Sequence, residues 1–262
     1  MSEARQRKRA FDDLLKKYPW CIYCGGVVQA DTVEHNPARI IFLGKQRPKG
    51  LEFPSCEACN RGTSHADLVA GLMSRVYPDA PTDAARDELK KILNAVANNI
   101  PGLLLEMEVS RNQEKILLRT VPGAPPGAAL LRVNGPLVSR HMTMFGAKLG
   151  FALHYEAYGS AVPIAGGVQP LWFSNVQAAR GELPMELINL LPGPRTLRQG
   201  TKHVGDQFQY SWQVTEEGRH GFFYAVFRSS FAIGAVSALD RSEFLMKNAD
   251  KFPVVAPGDF KK

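Results

Sequence analysis

The sequence contains no run of some 18 apolar residues, so no membrane-spanning helix is expected. Its start, Met1 to Arg9, is charged and has no apolar h-region, which argues against a secretory signal. A cytoplasmic protein is the resulting expectation. No internal repeat or low-complexity tract is present, so neither a solenoid nor a tail of biased composition is expected. No cysteine follows position 59, and a disulfide framework would suit a small exported domain better than this chain.

The composition is that of a folded protein. Of 262 residues, 45% are hydrophobic and 22% charged, enough for a substantial core. The formal charge of +7 is mild, with a pI near 9.3. Its sign favours a polyanionic partner, because Lys and Arg contacts to phosphate release condensed counterions.

The four cysteines form two Cys-x-x-Cys pairs, Cys21/Cys24 and Cys56/Cys59. Two such knuckles supply four soft ligands at tetrahedral zinc distance with little strain, so a structural Zn²⁺ is predicted. The competing readings are a redox Cys-x-x-Cys and four unrelated thiols.

Periodicity and breakers predict an amphipathic basic helix over 4–18 and a strand over 27–34. A basic loop over 37–50, a short strand over 51–54 and a helix from Glu57 towards Tyr77 follow. Thr82 is read as the N-cap of a helix over 83–98. The breaker cluster Val121–Gly127 sets a soft boundary within 99–126. Beyond it, a helix over 140–158 is predicted. Alternating strands over 208–215 and 222–231 flank Glu216–Arg219, and a further strand runs towards Leu239. The expected class is α+β. It divides into an N-terminal module (1–80), a helical connector and linker (81–126) and a mainly antiparallel C-terminal α+β domain (127–262).

Between the knuckles stands Asp31-Thr32-Val33-Glu34-His35-Asn36-Pro37, and Asn60 follows Cys59 directly. This order, Cys-x-x-Cys, acid-His, Cys-x-x-Cys-Asn, resembles the zinc-containing HNH (ββα-metal) endonucleases over about residues 18–77. The resemblance implies a zinc-stapled ββα-metal fold that hydrolyses phosphodiester bonds in DNA. It casts His35 as the general base, with Glu34 and Asn60 holding a catalytic Mg²⁺ or Mn²⁺. Such a hard cation would neutralise the phosphate and assist the leaving oxygen. An imidazole with an ordinary pKa near 6.5 suits a base at neutral pH.

Two departures stand out. The family commonly has aspartate at the place of Glu34, and many members carry an asparagine before the third cysteine that orients the imidazole. Here Gly50 to Ser55 contains none. Arg39, Lys45, Arg47, Lys49 and Arg61 are candidate contacts to the nucleic-acid backbone, alongside the cations of the leading helix. His65 is read as a bystander, and residues 100–262 declare no chemistry. A homodimer would suit a double-strand cutter. The rival reading is a non-catalytic, zinc-stabilised nucleic-acid-binding or regulatory module; an RNA nuclease is a third.

Overall fold

The computed structural model describes residues 3–46, 48–76, 82–124, 128–199, 202–244 and 252–261. The chain is a mixed α+β protein with a five-stranded antiparallel sheet and a four-cysteine cluster near its N-terminus. Among the described residues, no helix is long and apolar enough to cross a membrane.

Helix α1 (Glu3–Lys17) leads into the first knuckle, a 3₁₀ turn at Ile22–Cys24. Strands β1 (Thr32–His35) and β2 (Glu52–Ser55) then form an antiparallel pair. The register sets Glu34 opposite Phe53 and His35 opposite Glu52. The first strand is shorter than the expected 27–34. The preceding residues instead tie back to the knuckle, through Cys21 N–H to Val28 O (2.7 Å) and Ala30 N–H to Pro19 O (2.8 Å).

The helix expected from Glu57 to Tyr77 is two helices, α2 (Glu57–Gly62) and α3 (Ser64–Met73); Tyr77 lies outside the described residues. The break falls at buried Thr63, whose hydroxyl bonds the carbonyls of Cys59 (3.3 Å) and Asn60 (3.2 Å). That local bond competes with the helical ladder. Beside it, the carbonyl of Phe260 packs on Gly62, and a Cβ there would meet that oxygen at 1.7 Å. Gly62→Ala should therefore lower stability by about 1–3 kcal/mol, the overpacking cost outweighing the roughly 0.5–1 kcal/mol gain in helix propensity. Thermal denaturation checks this, and a raised Tm would contradict the close packing.

Helix α4 (Asp83–Asn99) begins as expected, with the Thr82 hydroxyl accepting from Ala85 N–H at 3.2 Å. The stretch read as a boundary contains two more helices, α5 (Leu103–Glu106) and α6 (Arg111–Leu118). The latter is opened by a capping box between Ser110 and Gln113. Helix α7 (Pro136–Tyr158) starts one turn before the expected Arg140. Pro136 occupies its first turn, and the Glu106 carboxylate accepts the N–H groups of Leu137 (3.0 Å) and Val138 (2.9 Å).

The remaining elements are β3 (Gly167–Ser174), α8 (Asn175–Ala179), α9 (Met185–Ile188), β4 (Arg195–Thr196), β5 (Arg198–Gln199), β6 (Lys202–His203), β7 (Gln209–Val214), β8 (His220–Phe227) and β9 (Phe231–Ala238). The large sheet has the order β3-β9-β8-β7-β4, all neighbours antiparallel, while β5 and β6 pair separately. The expected hairpin is β7–β8, and β3 is an addition that covers the far edge of β9.

Helix α7 is the middle layer. One face carries Phe145 against Phe227 and Phe231, with Gly150 so close to the sheet that a Cβ would meet Val168 at 2.6 Å. The other face carries Lys148, Phe151 and Tyr155, spaced three and four apart; Lys148 and Tyr155 meet Glu34 and Phe53 of the N-terminal strands, and Phe151 meets Phe260. A single buried core runs from Cys21 to Phe260.

Candidate metal centre and buried ion cluster

Cys21 precedes the 3₁₀ turn and Cys24 ends it, followed by Gly25 and Gly26 at φ 68° and 74°, a left-handed stretch that glycine enters freely. Cys56 precedes α2 and Cys59 lies within it. All four are buried, unlinked by disulfides, and their sulfurs lie within 4.8 Å of one another. Cys24 Sγ stands 3.7 Å from Cys56 Sγ and 3.4 Å from Cys59 Sγ. Tetrahedral zinc with Zn–S bonds of about 2.3 Å requires sulfur–sulfur edges of about 3.8 Å, so the geometry fits.

The thiols' own chemistry agrees. Hydrogen bonds, chiefly from Cys59, push Cys21 down to about 5, while burial and then the Cys21 charge push Cys24 up to about 12. Cys59 is likewise raised, first by its hydrogen bond to Cys21. The cluster holds one negative charge readily and resists more unless a cation sits at its centre. Lys261 bonds Cys24, and its ammonium is held up by that contact. Four buried cysteines so placed can bind a metal such as zinc.

The residues expected to hold a second, hard cation are arranged differently. Glu34 turns into the core at 5% exposure, where its Oε1 lies 3.0 Å from the ammonium of Lys148. The same ammonium lies 2.7 Å from Asp67 Oδ2. Lys148 is 1% exposed, a lysine inside an otherwise apolar stretch of α7. Asn36 closes the cluster, donating from Nδ2 to the Lys148 carbonyl (3.1 Å) and to the buried hydroxyl of Tyr23 (3.5 Å).

Charge explains the state of this cluster. Burial raises Glu34 to about 7 against the opposing pull of Lys148, and burial raises Asp67 as well. Burial pulls Lys148 down, but its two carboxylate neighbours outweigh that and hold it above its ordinary value. One ammonium cannot neutralise two desolvated carboxylates, so the cluster retains an extra proton into the neutral range.

His35 lies on the opposite side of β1 from Glu34, as strand alternation requires. Its Nδ1 stands 3.4 Å from Glu52 Oε1, and its ring lies 5.7 Å from that of Phe11 on α1. The imidazole is partly exposed, at 36%. Asn60 donates from Nδ2 to Thr32 Oγ1 at 3.3 Å, on the strand face that Glu34 shares. Carboxylate and imidazole therefore face apart, and the arrangement of the three expected side chains around one cation is not formed. Mg²⁺ dehydrates reluctantly and keeps several waters. A buried carboxylate already bound to an ammonium does not fit it.

Arg39 and Lys49 are exposed, the latter donating its backbone N–H to Arg198 O at 2.8 Å. Arg61 is ion-paired to Glu57 one helical turn away, at 2.6 Å. Arg47 and the side chain of Lys45 lie outside the described residues. On α1, Arg5, Lys8 and Arg9 are exposed. His65 stacks edge-on with His141, 6.2 Å between ring centroids.

Five residues of the cluster and its surroundings were assigned no role from sequence: Lys148, Asp67, Asn36, Tyr23 and Glu52. Only Lys148 leaves a signal, as the lone charge in Phe145-Gly146-Ala147-Lys148-Leu149-Gly150. No family model, curated protein or solved structure matches this chain.

Proposed function

We propose that this protein is a non-catalytic, zinc-stabilised nucleic-acid-binding protein, with an N-terminal module of HNH type whose cation position is taken by its own lysine. The observation that carries this reading is the Lys148 ammonium, buried between Glu34 and Asp67. It supplies the positive charge that a hard metal would otherwise bring, and it comes from a helix packed in the core. Zinc in the four-thiolate site would then clamp the first knuckle to α2 and support the short β1–β2 pair. Reduced thiols suit a cytoplasmic setting.

The exposed cations of α1, with Arg39, Lys49 and Arg61, support DNA as the first partner to test and RNA as its competitor. Their contacts would be to phosphate, without base reading. Fluorescence anisotropy with a labelled duplex should show binding whose logarithm falls with log salt at a slope of about −3 to −5, as for some three to five neutralised phosphates. Supercoiled plasmid with Mg²⁺ or Mn²⁺ should stay intact. Absence of binding to both DNA and RNA at low salt would remove the proposal.

One observation favours the endonuclease as a second reading. Glu52 stands at His35 Nδ1, where an orienting group is wanted and the sequence offers no asparagine. Plasmid nicking that His35→Ala abolishes would establish that reading in place of the first.

A further inference from the structure

A cavity of about 1270 Å³ lies far along the chain from the cysteine cluster, between α6, residues 121–124 and 128–134, the end of β3 and α8. Its walls are mainly carbon, with Met73, Ile116, Leu117, Leu130, Leu131 and Trp172 among them. Helix α6 buries none of its residues, and Ile116 and Leu117 remain 65% and 42% exposed while lining the space. An amphipathic helix normally turns such side chains against a partner. Here its partner is the cavity.

The polar lining is one-sided. Among the described residues, Arg132 and Arg180 are the charged residues of the wall, and neither Asp nor Glu contributes. Arg180 is exposed and donates to Thr120 Oγ1 at 2.7 Å, which holds its guanidinium at the rim beside the segment that follows α6. Ser174 and Gln177 also line the space, but their side chains are committed to the capping box of α8. The space thus offers mainly apolar walls with the guanidinium-bearing Arg132 and Arg180 among their residues. Small-molecule sites usually measure about 300–1,000 Å³, so this one accommodates an extended chain.

We infer that this cavity binds an amphipathic carboxylate, its unbranched apolar tail against Ile116, Leu117 and Trp172 and its head on Arg180. The tail would complete the packing that α6 lacks, and a guanidinium suits a carboxylate through paired charge-assisted bonds. The inference stands independently of the nucleic-acid reading, since it uses none of the same residues.

Isothermal titration of the zinc-loaded full chain with octanoate, decanoate and dodecanoate tests it. Affinity should rise about threefold to fourfold per added methylene. Dodecanol should bind about tenfold more weakly than dodecanoate, for want of the charged hydrogen bonds. Arg180→Ala should erase that difference and leave dodecanol binding unchanged. Ile116→Glu, at an exposed position that folding tolerates, should abolish binding of both. Lack of saturable dodecanoate binding, equal affinity for acid and alcohol, or wild-type binding by Ile116→Glu would each overturn the inference. Vesicles containing phosphatidylglycerol serve as a parallel arm. Ile116-dependent capture by them, without binding of the free acid, would assign the surface to membrane contact and overturn the enclosed ligand.

Discussion

Exchange of Cys59 for serine, or removal of metal by a strong chelator, is expected to unfold the N-terminal elements. The four sulfurs join the 3₁₀ turn after α1 to the start of α2, and among the described residues the strand pairing there is the four-residue ladder of β1 with β2 and a single bridge between Trp20 and Gln29. So short a pair is marginal in water. Structural zinc contributes on the order of 10–16 kcal/mol in small metal-folded units, comparable to the roughly 5–15 kcal/mol net stability of a typical domain. The apo chain should therefore lose the first knuckle and α2, along with the 3₁₀ turn at Asp259–Lys261, whose Phe260 carbonyl rests on Gly62. Elemental analysis should find about one zinc per chain in the intact protein and close to none in Cys59→Ser, with an early, separate thermal transition in the latter. A zinc-free wild type with an unchanged melting curve would dismiss the four-thiolate assignment.

The second large effect is expected at Lys148. Lys148→Met keeps much of the side-chain volume but leaves Glu34 and Asp67 in the core without their cation. Breaking one side of a buried ionic cluster costs about 3–5 kcal/mol. The cost should depend on pH in a definite sense. In the wild type, Glu34 titrates near 7 when folded, above its ordinary 4.5. The folded state thus holds a proton that the unfolded chain releases, so stability falls as pH rises from about 4.5 to about 7 and levels off beyond. Without Lys148, the folded pKa moves higher still, and the loss extends upward. Urea denaturation should show a small deficit at pH 5.5 and most of the 3–5 kcal/mol by pH 8. Adding Glu34→Gln and Asp67→Asn to Lys148→Met should recover much of it. A pH-independent deficit would mean that packing, not charge, is what Lys148 provides.

These two sites differ in how far they could be read from sequence. The cysteine cluster was legible because its ligands carry their own spacing: two knuckles of fixed length can close on one ion without help from the rest of the chain. The Thr82 cap and the strands β7, β8 and β9 were legible for a similar reason, since cap chemistry and alternation are local.

The surroundings of Glu34 were not legible, because they depend on what α7 brings from more than a hundred residues away. Strand alternation alone sends the two side chains to opposite sides of β1. Which side meets solvent is decided by Lys148, Tyr23 and Asn36, and no local pattern announces that meeting. The split of the long helix at Thr63 is local, through its hydroxyl bonds to the Cys59 and Asn60 carbonyls, but the glycine before it answers a distant contact. The returning carbonyl of Phe260 leaves no room for a Cβ at position 62, which the sequence around Gly62 does not announce. The start of α7 could have been placed better, as Gly135-Pro136 is a helix-opening signal in its own right.

The central claim is that a resident ammonium closes the Glu34 site to a divalent ion. Mn²⁺ titrated into zinc-loaded protein and followed by electron paramagnetic resonance addresses it directly. The account predicts a spectrum of free Mn²⁺ throughout the millimolar range. One tightly bound Mn²⁺ per chain, lost in Glu34→Gln, would contradict it.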